Sequence, residues 1–138
     1  MNEPDWDWML EETIPSSTDA GHKLIEQLLA ALTKWGWEGR DFFHIQMAAE
    51  EAMVNAVTHG NNESEHLVVE VEFRVSSQSV FLRFKDQGEG FCPEKLPDPT
   101  DEEHLHDSHG RGVFLIMEMM SEVCYNDCGN EVVMRKHR

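Results

Sequence analysis

Glu51 and Asn55 stand four residues apart, which on a helix puts both side chains on one face with Cβ atoms roughly 6 Å apart. A carboxylate can accept a proton, and an amide oxygen suits a hard cation such as Mg²⁺, so the pair could hold a metal and move a proton. Taken alone, it also has the look of a solvated polar stripe. Asn is a mediocre helix former, and its place between Val54 and Ala56 asks for a reason. His59 adds another step of four and directly precedes Gly60, where a cation complements the helix C-terminal dipole, a structural role.

Asp86 keeps the parity of Val80, Leu82 and Phe84 along a strand, so its carboxylate is expected to point inward. A buried carboxylate is costly unless a donor meets it, and the amino group of an adenine is such a donor. A turn-capping Asp ahead of Gln87-Gly88 is the other reading. Gly88 and Gly90 let backbone approach a flat ligand closely, as many tight turns also require. Further on, Gly110-Arg111-Gly112 opens a helix. Free N–H groups at a helix N-terminus form an anion site, and Arg111 can add a bidentate contact. No G-x-x-x-x-G-K-[ST] loop occurs. Basic residues are few, so a polyphosphate would be met mainly by Mg²⁺ and backbone dipoles, which favours a cation at Asn55.

The elements that must carry these groups are legible from periodicity. Trp8 to Ile14 reads as a strand stopped by Pro15, and Ser16, Ser17 and Thr18 offer cap oxygens for a first helix. That helix carries Leu24, Ile25, Leu28, Leu29 and Leu32, and should stop near Gly36. Trp35 and Trp37 flank the stop and are expected to cover the core edge. A second helix is expected from about Asp41 to His59, with Phe43, Met47, Val54 and Val57 on its apolar face. Residues 67–75 alternate with period two, and a turn at 76–79 leads into a return strand. Residues 87–109 break the pattern and read as a lid or a disordered connection. A short helix over 112–120 and a hairpin pairing 122–126 with 131–135 close the chain. The order implies an α+β two-layer sandwich in a single domain over 1–138, with helices on one face of a mostly antiparallel sheet.

Composition narrows the partners. The chain has 138 residues, and eleven Lys and Arg against 27 Asp and Glu give a net charge of −16. Such a surface repels nucleic acid and anionic lipid, so a basic protein is the better partner. No stretch approaches the ~18–20 apolar residues of a membrane span, and the N-terminus lacks a basic segment ahead of an apolar one, so a cytoplasmic location is expected. Cys92, Cys124 and Cys128 do not form a secreted disulfide framework and read as reduced thiols. His104, His106 and His109 match no common zinc spacing and read as part of a solvated lid.

Order and spacing together are more specific than any one motif. E-A-M-V-N-A-V-T-H-G (51–60) resembles the asparagine box of the GHKL superfamily, the ATPase fold shared by gyrase and histidine kinases. D-Q-G-E-G-F (86–91) and G-R-G-V-F-L-I (110–116) resemble its two glycine boxes. The strand ending I-P-S, the two helices and the compact ending resemble the anti-sigma-factor serine/threonine kinases. That resemblance implies ATP and Mg²⁺ as ligands, with Asn55 holding the metal and Asp86 reading the adenine amino group. It implies that Gly88 and Gly90 line the base pocket, and that Gly110, Arg111, Gly112 and Val113 meet the phosphates beneath a 92–109 lid. Glu51 would be the general base toward a partner's serine. It further implies a homodimer that holds a sigma factor and phosphorylates a STAS-type anti-anti-sigma protein. A regulator that binds ATP without productive transfer is the alternative.

Overall fold

The computed structural model describes residues 6–60, 67–87, 116–126 and 130–138. Five strands, β1 (Trp8–Pro15), β2 (Val68–Val75), β3 (Ser79–Lys85), β4 (Glu122–Tyr125) and β5 (Glu131–His137), form one antiparallel sheet. Its order is β1-β2-β3-β5-β4. Alternation sets the faces. Val69, Val71, Phe73 and Val75 of β2 are buried, as are Val80, Leu82 and Phe84 of β3. The closing hairpin runs from Glu122↔Arg135 to Tyr125↔Val132, within the expected segments.

Helices α1 (Thr18–Lys34) and α2 (Gly39–Val54) cover the apolar face, α1 against β1 and β2 and α2 against β3. This is the expected two-layer α+β sandwich. Ser17 caps α1, its Oγ accepting from the Ala20 N–H at 3.4 Å. The helix ends in a left-handed turn at Gly36 (φ 87°), with the Gly36 N–H bonded to Thr33 O and the Trp37 N–H to Leu32 O. Those two bonds satisfy carbonyls that the last turn leaves open. Trp37 then tucks into the core and donates its Nε1–H to Ser76 O at 2.7 Å, so it does cover the core edge. Residues 116–119 are helical, in agreement with a short helix over 112–120, whose first residues lie outside the described ones.

The second helix departs from expectation in two ways. Its core face is Ile45, Ala48, Ala49, Ala52 and Met53, whereas Phe43 is 55% exposed. The row 45, 48, 49, 52, 53 has helical spacing, but its alanines carry little apolar weight in a sequence reading. Small side chains let the helix sit close: a Cβ on Gly21 of α1 would collide with the Met53 side chain. The second departure is that α-helical geometry stops at Val54, and Asn55–Gly60 form a π-helical turn. Val57, four residues after the buried Met53, stays on the core face through this turn and is fully buried, as expected.

The helix-free face carries an ion network. Arg83 Nε donates to Glu131 at 2.6 Å and its NH2 group to Glu70 at 3.3 Å, while Arg74 Nε donates to Glu72 at 2.7 Å. Loss of hydration alone would lower the Arg83 pKa, but the bonds to Glu131 and Glu70 outweigh it and hold the guanidinium above its ordinary value. Phe81 is packed between the guanidiniums of Arg74 and Arg135, each 4.9 Å from its ring centre.

Candidate functional site

The Asn55 N–H still bonds to Glu51 O, with a second acceptor at Ala52 O. The four-residue repeat is therefore intact between Glu51 and Asn55, and both side chains are half-buried along one flank of the helix. Asn55 caps the α-helix and is the first residue of the π turn. Turns of this kind recur where a helix presents a ligand-binding side chain. A bond reaches the turn from outside the helix: Ser16 Oγ donates to Val57 O at 3.3 Å. Ser16 was expected to share in capping α1; Ser17 does that alone, and Ser16 is buried against the second helix instead.

Asp86 is 8% exposed and lies on the same face as Val80, Leu82 and Phe84, as its parity requires. It stands one residue beyond β3, and its N–H donates to Asn130 O at 2.9 Å. On the other flank, Gln87 Oε1 accepts from the Val68 N–H at 2.8 Å. Tyr125, one step along the hairpin, packs against the core, and burial pushes its phenol above the ordinary value, so it is neutral at physiological pH.

A chain of bonds ties the two regions to one end of the sandwich. Gln87 holds the Val68 N–H, Leu67, the residue before it, accepts from the Ser16 N–H at 3.2 Å, and the Ser16 hydroxyl reaches Val57 in the π turn. Helix α2 also packs on β3, the strand that leads into Asp86. Glu51, Asn55 and Asp86 are thus carried by neighbouring elements. Gly88, Gly90, Gly110, Arg111, Gly112, Val113 and the 92–109 segment with its histidines lie outside the described residues, as do the side chains of His59 and Gly60.

No three His, Cys, Asp or Glu side chains among the described residues converge on a position that could hold a metal ion. A cation at Asn55 would take most of its ligands from phosphates and water, the usual situation for Mg²⁺, and a half-buried amide oxygen at a helix end fits that role. Periodicity gave no warning of the contributions of Ser16 and Gln87. Their side chains act through single backbone groups far away in sequence, and residue type alone does not mark such bonds. Among the described residues, no helix is long and apolar enough to cross a membrane.

Comparison with known proteins agrees with this layout. Residues 14–136 match the family model described as the histidine kinase-like ATPase domain. A serine-protein kinase RsbW of Oceanobacillus iheyensis is 26% identical over 117 residues, covering 80% of this chain and 74% of that protein. A serine-protein kinase RsbW of Staphylococcus aureus is 25% identical over 136 residues, covering 93% and 86%. Among solved structures, the RsbU and RsbW domains of a Mycobacterium tuberculosis protein superpose with a TM-score of 0.59 at 20% identity. That alignment covers 95% of this chain but spans only 32% of the longer one, and it speaks for the fold alone.

Proposed function

The chain belongs to the histidine kinase-like ATPase domain family, and from that premise we propose that it is an ATP-dependent protein serine kinase that doubles as an anti-sigma factor. Its substrate is a serine on a STAS-type anti-anti-sigma protein, and its other partner is a sigma factor, held by a homodimer in the cytoplasm. The likeness to two serine-protein kinases over most of the chain supports the reaction class. The observation that carries the reading is Asp86, a buried carboxylate at the open end of a strand, where the family expectation requires a group that reads adenine.

Each residue then has a task. Asp86 accepts a hydrogen bond from the exocyclic amine of the base. Asn55 gives its amide oxygen to Mg²⁺, which supplies charge neutralisation on the phosphates when bound. Gly88 and Gly90 line the base pocket, and Gly110, Arg111, Gly112 and Val113 meet the phosphates beneath the 92–109 lid. Glu51, one helical turn before Asn55, takes the proton from the serine hydroxyl as its oxygen bonds to the γ-phosphorus and ADP leaves. Removing a positioned general base costs about 10²–10⁴ in rate.

The test is incubation with labelled Mg-ATP and a purified STAS-type protein, read as phosphoserine. The unsubstituted chain is expected to transfer label, and Glu51→Ala to lose about two to four orders of magnitude in rate while binding ATP as before. Wild-type transfer by Glu51→Ala would remove Glu51 from the chemistry. Tight ATP binding with no phosphoserine on any STAS-type protein would favour a regulator that uses ATP only to shape a binding surface.

A further inference from the structure

We propose that Asn126 is a positioning residue for base recognition: its side-chain amide clasps Asn130 and Glu131 at the start of β5 and thereby sets the carbonyl on which the Asp86 backbone rests. The proposal builds on the reading of Asp86 as the adenine-recognising group.

Asn126 is the residue after β4, and Asn130 the residue before β5. Asn126 Oδ1 accepts from two backbone donors, the Asn130 N–H at 3.0 Å and the Glu131 N–H at 3.3 Å. Its Nδ2 donates to Asn130 Oδ1 at 2.7 Å, and its own N–H donates to Glu131 O at 3.1 Å. Two backbone N–H groups can be met only by oxygen, so the amide has one orientation that satisfies all its partners. The half-buried side chain thus bridges the end of β4 to the start of β5.

The consequence lies on the neighbouring strand. Lys85↔Glu131 is the last pair of the β3–β5 ladder, so Asp86 stands one residue past it. A backbone group beyond a ladder keeps its place only through whatever partner it finds. For Asp86 that partner is Asn130 O at 2.9 Å. Gln87 bonds to Val68 on the other flank, and on the β5 side the Asn126 clasp holds the residue whose carbonyl accepts from the Asp86 N–H. Loosening the clasp lets the strand end shift, and the direction of the Asp86 carboxylate shifts with it, although Asn126 itself need not touch the ligand. A carboxylate that reads one amine is sensitive to such a shift, whereas contacts to the ribose and phosphates are not.

The experiment uses the full chain and compares calorimetric affinities for Mg-ATP and Mg-ITP, since inosine lacks the exocyclic amine. The unsubstituted chain is expected to prefer ATP. In Asn126→Ala the ATP:ITP ratio is expected to fall about fivefold, the worth of one net hydrogen bond, chiefly through weaker ATP binding. Asn126→Asp keeps an oxygen for both N–H groups and is expected to retain most of the preference, with a fall of about twofold. It also serves as the variant to read if the alanine form does not fold. An ATP:ITP ratio equal to the unsubstituted value in either folded variant overturns the proposal. An unsubstituted chain that binds ATP and ITP equally overturns the adenine reading of Asp86 and the proposal with it. A chain that binds neither contradicts the function itself, so the failures are distinguishable.

Discussion

The strand end at Asp86 and the helix end at Asn55 are secured very differently. Asp86 extends the central strand of a five-stranded sheet, with a backbone bond to Asn130 on one flank and the Gln87 amide on the other. Asn55 sits where an α-helix becomes a π turn, and among the described residues the side-chain bond that reaches that turn from outside the helix is a hydroxyl contact of 3.3 Å from Ser16. A hydroxyl bond of that length is weak beside the 2.8–2.9 Å bonds of the strand end. On the reading proposed above, base recognition would rest on the end with the shorter bonds among the described residues, and the metal and phosphate would sit at the other.

Two substitutions test that contrast. The larger effect is expected at Gly21, where a side chain must displace Met53, two residues before Asn55. Gly21→Val should cost about 1–3 kcal/mol of stability, as overpacking does, measurable by denaturant titration. A variant as stable as the parent would mean that the helices separate easily and that α2 is not fixed by that contact. A smaller effect is expected for Ser16→Ala. Loss of its bond should lower the Mg²⁺-dependent part of ATP affinity about two- to fivefold and leave metal-free binding unchanged. An equal fall with and without Mg²⁺ would show that Ser16 supports the fold rather than the Asn55 turn.

Strand features were the most legible in the sequence. Alternation put Asp86 on the inner face because a two-residue period leaves no ambiguity of phase, and the closing hairpin falls in the expected segments for the same reason. Helix features were less so. The row through Ile45, Ala49 and Ala52 is diluted by its alanines when residues are weighted by hydrophobicity, and the close contact of the two helices runs through Gly21 and Met53. The π turn at Asn55 has no local signature in residue type or periodicity. The Asn126 clasp and the Ser16 and Gln87 bonds depend on backbone groups that only the assembled sheet brings within reach.

The central claim, that buried Asp86 makes this chain an ATP-binding domain, is tested most directly by titrating Mg-ATP into the unsubstituted protein and into Asp86→Asn. Saturable binding is expected for the former. The variant should bind about 10- to 100-fold more weakly, the range for losing a hydrogen bond to a charged group, with its melting temperature little changed. No binding by the unsubstituted chain at millimolar nucleotide, or equal affinity in the two proteins, would contradict the account.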